Sequence, residues 1–197
     1  MYKRQHNHLV NQLKQTQEEH VSNILETVDY ATKLGIKVNV YLEDWSNGMK
    51  NSPEYVFYLM DQLKDTNIER FMLPDTLGNL NPETVSDFLI QMVSRYPTLH
   101  FDSHLHNDYD LAVANTFFAI KAGVNGVHTT VNGLGERAGN TPLASVVALI
   151  NDQLTEYTTN VNEQKLNNIS NLVEAFSGIR IPANKPVVGA NVFTQAC

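Results

Sequence analysis

His104 and His106 stand one residue apart in the run His104-Leu105-His106-Asn107-Asp108. In an extended strand, residues i and i+2 point to the same face. Two imidazoles side by side are able to share one divalent cation. The same spacing also describes two hydrogen-bonded histidines at a strand end, and spacing does not choose between these. Asp108 suits either a ligand or a helix N-terminus. His6-x-His8 repeats the spacing in a polar start and reads as no site. The run 132–140, Asn-Gly-Leu-Gly-Glu-Arg-Ala-Gly-Asn, holds three glycines that let backbone approach a ligand. It has no P-loop lysine, and its spacing is not the dinucleotide fingerprint. A binding loop and a plain strand-to-helix turn both fit it. Pro74-Asp75-Thr76 offers a carboxylate and a hydroxyl, or simply a turn closed by an Asx-type bond. Glu43 reads as a base or as a solvated strand end. Tyr41 and Trp45 read as packing, and Cys197 has no evident partner.

These residues must be positioned by the elements before them. Helical patterns cover 16–34, 53–64, 82–94, 109–122, 142–153 and 162–177, and strand patterns begin near 36, 69, 99 and 125. Thr16 and Glu19 have capping-box spacing, Gly35 follows as a stop, and Ser52 precedes Pro53 as a cap. Strands alternating with helices predict an α/β fold with a parallel sheet and outer helices. The strand starts are about 30 residues apart, so eight such units would need roughly 240 residues, the size of a (β/α)8 barrel. The chain has 197 residues and four units, and it opens on a helix. The expected fold is a partial TIM barrel, strands five to eight with their helices, over residues 1–155. Residues 156–197 read as a linker and an accessory helical segment. In such folds chemistry collects where strands end, and all four strand ends here are polar.

Composition narrows the class. Hydrophobic residues make up 42% of the chain and charged residues 18%, as in a globular protein with a real core. Fourteen basic against 21 acidic residues give a net charge of −7, which disfavours nucleic acid and anionic membranes as partners. No apolar run reaches the roughly 18 residues of a membrane span, and no secretory signal opens the chain. One cysteine allows no internal disulfide, so the cytoplasm is the expected compartment.

His-x-His-Asn-Asp at 104–108, Leu-Ala-Val-Ala-Asn at 111–115 and Asn-Gly-x-Gly-Glu-Arg-Ala-Gly-Asn at 132–140 resemble the 2-isopropylmalate synthase group. That group includes the citramalate and homocitrate synthases, metal-dependent Claisen-condensing enzymes on a TIM barrel. The similarity runs from about residue 14 to 195. Gly-Leu-Gly-Glu-Arg replaces the glycine- and cysteine-containing loop usual in the related hydroxymethylglutaryl-CoA lyase, which favours a synthase. Arg-Ala-Gly-Asn favours isopropylmalate or citramalate synthesis over homocitrate synthesis. The resemblance implies that His104 and His106 ligate a divalent ion (Mn, Mg or Zn), with Asn140 near it and Glu136 ordering the site. It implies that Thr76, with Asp75 beside it, binds the 2-keto acid and that Glu43 assists acid–base chemistry. The implied partners are acetyl-CoA and a 2-keto acid, with a homodimer in the full-length protein.

Departures from the family matter as much. The family's first strand normally ends in Arg-Asp, the Asp being the third metal ligand, and no residue here fills that place. The family histidine in a Gly-Ile-His segment beyond 193–195 is also missing, as is a regulatory domain. Asp110 stands where glycine is usual and Tyr41 where serine is common. Residues 1–5 and the final Ala-Cys read as non-native. The chain is therefore expected to be an inactive fragment that binds metal weakly, with an open sheet edge. A non-catalytic half-barrel binding module is the rival from another class.

Overall fold

A computed structural model describes residues 14–192. The His6-x-His8 pair, residues 1–5 and the segment 193–197 lie outside the described residues.

Helix α1 (Gln17–Lys33) begins at Thr16, whose hydroxyl accepts from the Glu19 N–H while the Glu19 carboxylate accepts from the Thr16 N–H. This capping box satisfies two donors that the first turn would leave open. Strand β1 (Val38–Tyr41) follows Gly35, which sits at φ +72°. A helix that the sequence reading lacks, α2 (Trp45–Asn51), comes next. Ser52 then makes the corner into α3 (Pro53–Leu63). Its side chain makes no capping bond, contrary to expectation, because its φ of −155° and ψ of 55° serve the bend between two helices. Pro53 does occupy the first turn.

Strand β2 (Ile68–Asp75) is twice the length that its apolar run suggested. Helix α4 (Pro82–Arg95) is capped by Asn81. Strand β3 (Phe101–Leu105) leads into α5 (Ala112–Lys121), which starts three residues later than expected. The delay has a local cause: Asp110 takes φ +60°, and the Asn107 side chain accepts from the Ala112 N–H. Asp110 thus stands in the left-handed region, which Asp tolerates better than most residues. Strand β4 (Gly126–His128) is short, since the chain turns through a 3-10 segment at Val131–Gly133 before α6 (Leu143–Gln153). The 3-10 turn Glu163–Lys165 and α7 (Leu166–Ser177) complete the described elements.

The four strands form one parallel sheet in the order β1-β2-β3-β4. Its two faces differ in chemistry. Phe71, Leu73, Phe101 and Leu105 point to the helices and join Leu59, Met60, Leu63, Val85, Leu89 and Met92 in the main core. Each such fully buried side chain contributes about 2 kcal/mol of hydrophobic transfer. The opposite face follows from the register: Tyr41 beside Met72, Met72 beside Asp102, and His104 beside His128. That face is polar and opens on the side away from the helices. The tail helix α7 docks through a small cluster of Leu166 with Ala144 and Val147. Asn132 also donates to the Ser170 carbonyl at 2.9 Å, so this helix braces the loop after β4. Among the described residues no helix is long and apolar enough to cross a membrane.

Candidate metal and substrate site

The end of β3 carries His104 and His106, whose ring centroids lie 5.1 Å apart. The Nδ1 atoms of both rings are buried and have no hydrogen-bond partner. The Oδ1 atom of Asn140 is likewise buried and unpartnered. A buried polar atom left open costs free energy unless a further group completes it. Two imidazole nitrogens and one amide oxygen are donors of the kind a divalent cation takes, so the residues present fit a metal in part. Among the described residues, no three His, Cys, Asp or Glu side chains are grouped to hold one.

Backbone contacts bring Asn140 to this place. His106 and Asn140 form an isolated antiparallel bridge, and the Asn107 N–H donates to the Gly139 carbonyl at 2.9 Å. The loop can close only because of its glycines. Gly139 sits at φ +89°, and a Cβ there would collide with the Gly133 carbonyl. Burial, with the nearby His106 and His128, lowers the His104 pKa to about 4. At neutral pH that ring is therefore unprotonated and free to act as a ligand.

At the β1 and β2 ends, Thr76 links two segments. Its hydroxyl accepts from the Asp44 N–H at 3.0 Å and donates to Glu43 at 3.0 Å. Asp75 is fully enclosed. Ser46 donates to one carboxylate oxygen at 2.8 Å and the Leu80 N–H to the other at 2.9 Å. Burial raises its pKa, with the bonds from Leu80, Ser46 and Asn79 opposing. Its place is thus inside the turn, away from the open rim. The Glu136 side chain is 82% exposed and approaches Arg137 at 3.5 Å. Trp45 is fully buried and packs edge-on to Phe88, as its packing reading expects.

Tyr41 is not a packing residue. It is half exposed, its ring lies 6.0 Å edge-on from His104, and its hydroxyl meets His128 Nδ1 at 3.0 Å. Burial first, then the charges of Asp102 and Glu43, raise its phenol pKa. His128 and Asp102 were not picked out from the sequence. Asp102 is 2% exposed and lies between His100 at 2.8 Å, His128 at 3.5 Å and Arg70 at 3.5 Å. Period-two alternation gave the signal for Asp102, which precedes His104 by two residues. His128 needed the β3–β4 register.

A family model described as HMGL-like matches residues 5–173. A probable 2-isopropylmalate synthase of Ignicoccus hospitalis is 39% identical over 189 residues, which are 95% of this chain and 46% of that protein. A homocitrate synthase of Sulfurisphaera tokodaii is 38% identical over 178 residues, 90% of this chain and 38% of that protein. A putative (R)-citramalate synthase CimA of Methanopyrus kandleri is 36% identical over 189 residues, 95% of this chain and 36% of that protein. The chain spans less than half the length of these relatives. Identities this close do not separate the three activities, so the loop 132–140 does not exclude homocitrate synthesis. Among solved structures, the HMG-CoA lyase of Bacillus subtilis superposes with a TM-score of 0.76 at 22% identity, covering 90% of this chain and 62% of that one. An HMG-CoA lyase of Acinetobacter baumannii, in complex with coenzyme A and 3-methylmalate, gives 0.77 at 20% identity, covering 98% and 64%. At such identities the likeness is one of fold. The parallel α/β sheet, the family match over most of the chain and relatives at 36–39% identity agree, and the chain belongs to the HMGL-like family.

Proposed function

We propose that this chain is the second half of the catalytic barrel of a synthase that condenses acetyl-CoA with a 2-keto acid. The observation that carries the reading is the trio of buried, unpartnered donors on His104, His106 and Asn140. In the proposed reaction the acetyl methyl loses a proton and its carbon bonds to the keto carbon. The keto oxygen takes a proton to become a hydroxyl, and water hydrolyses the thioester to release CoA.

His104, His106 and Asn140 would hold the divalent ion, and a bound ion there supplies Lewis-acid polarisation of a carbonyl. Thr76 binds the keto acid through its hydroxyl, and Glu43, already bonded to that hydroxyl, holds and returns a proton at its carboxylate. Asp75 serves this pair from inside the turn, as a positioning residue. Glu136, exposed beside Arg137, supports the loop of Asn140. The whole protein is proposed to be a cytoplasmic homodimer whose first strand supplies the remaining acidic ligand.

The test is release of CoA thiol from acetyl-CoA by the full-length protein, stripped with a chelator and reloaded with Mn2+. Metal-dependent release with at least one of pyruvate, 2-oxoisovalerate or 2-oxoglutarate is expected, and none from the 197-residue chain alone. Failure of the reloaded full-length protein with all three acids would overturn the reading, and so would turnover by the short chain.

A further inference from the structure

The polar sheet face has a second end, at the strand starts, that the proposed condensation does not use. Arg70 stands there, beside Asn39 in the β1–β2 register. The next pair along, Phe71 with Phe101, puts Arg70 level with His100. His106 lies six residues beyond His100, so about 20 Å of strand separates this floor from the metal and substrate site. Asp102 sits just above the floor. It is 2% exposed, and a Cβ on the neighbouring Gly126 would collide with its carboxylate.

Asp102 is shared among three groups. His100 Nε2 lies 2.8 Å from one carboxylate oxygen, while Arg70 Nη1 and His128 Nε2 both lie 3.5 Å from the other. Arg70 is correspondingly short of acceptors. A guanidinium carries five N–H donors and does not lose its charge. Among the described residues Arg70 meets one acceptor, that long contact to Asp102, and its side chain is 50% exposed. Water supplies the rest only while the face is open. The proposed barrel closes over this face and removes that water. A guanidinium taken out of water without a full counter-charge is strongly disfavoured, and neither the shared Asp102 nor the neutral Asn39 supplies one.

We propose that the covering half of the barrel presents an aspartate or glutamate to Arg70 at the floor, so that this end of the face is an interaction surface for an acidic inner strand. This rests on the half-barrel part of the reading above. The carboxylate is distinct from the acidic metal ligand, which belongs at the opposite end of the strands. The open edge of the guanidinium, Nε with Nη2, fits a carboxylate through two parallel bonds.

The test uses the full-length protein. Its crystal structure is expected to show a carboxylate oxygen from the first four strands within about 3 Å of the Arg70 guanidinium. A closed barrel in which Arg70 meets only water, backbone carbonyls or Asp102 overturns this inference alone. A face left open, or covered by a second copy of this chain, overturns the half-barrel reading and this inference with it. Thermal denaturation gives a second arm. Arg70→Met strands the partner carboxylate and is expected to lower Tm by about 6 °C or more. The loss should persist in an Asp102→Asn background, where the second carboxylate is still present. An unchanged Tm in Arg70→Met, or a loss that vanishes once Asp102 is neutral, overturns the inference. Where Arg70→Met does not fold, the wild-type structure decides.

Discussion

Arg137 grips Asp108 with two parallel bonds, Nε to one carboxylate oxygen and Nη2 to the other, each 2.9 Å long. The same Nη2 donates to the Thr76 carbonyl at 2.7 Å. One guanidinium therefore ties together the loops after β2, β3 and β4, which carry Thr76, Asp108 and Asn140. A planar fork does this in a way that an ammonium does not.

Arg137→Lys tests the clamp. Both partners are partly exposed, at 38% and 23%, so solvent screening holds the global cost below about 1 kcal/mol. The loop should feel it more. Hydrogen exchange at the Asn140 amide, bonded to the Gly133 carbonyl, is expected to speed up, and metal affinity to fall roughly tenfold. Wild-type exchange at Asn140 in the variant would remove the clamp from the account.

His104 sets a pH dependence in the metal-free protein. Its pKa falls from 6.5 to about 4 through burial and the nearby His106 and His128. Below pH 6.5 the unfolded chain binds a proton that the folded protein refuses until about pH 4. Stability therefore drops as pH falls through that window and levels off below it. The loss is on the order of 2 kcal/mol after discounting for the open side of the cleft. Proton NMR of the imidazole, with urea midpoints at several pH values, checks it. A titration midpoint at the ordinary histidine value would contradict the burial argument.

The proposed ligands differ in what their loss should do. His104→Ala or His106→Ala removes a nitrogen donor and should weaken Mn2+ binding by more than the roughly 100-fold at which outer contacts saturate. Asn140→Ala should weaken it less, since a neutral amide oxygen is a weaker donor to the ion than an imidazole nitrogen. Isothermal titration calorimetry on the full-length protein ranks the three. Equal affinity for His106→Ala and wild type would place the ion elsewhere.

Gly139→Ala leaves every proposed ligand in place yet should damage the site. Its φ of +89° and the Gly133 carbonyl in the path of a Cβ force the loop to move. A cost of about 1–3 kcal/mol is expected, together with weaker Mn2+ binding. Thermal denaturation and calorimetry read the two effects, and a variant with wild-type values for both would show the loop to be more yielding than its geometry suggests.

Much of this arrangement was legible in the residues. The capping box at Thr16 and the left-handed glycine at 35 are set by residues within four positions of each other or by one residue alone. Helix starts and stops of that kind need no tertiary information. Helix α2 was missed because Trp45-Ser46-Asn47-Gly48 carries no helical signal of its own. Trp45, fully buried against Phe88, and Ser46, bonded to Asp75, hold it from outside. The same packing turned Asp75 inward, where a sequence shows only a carboxylate at a strand end.

The sequence by itself determined four strands alternating with helices, and the pairing of His104 with His106, because strand and helix periods act over a few residues. It also determined that a glycine-rich loop follows β4. Tertiary structure alone decided which distant groups meet on the polar face. Tyr41, His128 and Asp102 are neighbours only through the register of β1 to β4. Register is a property of whole strands packed under a shared layer of helices, and no local run of residues encodes it.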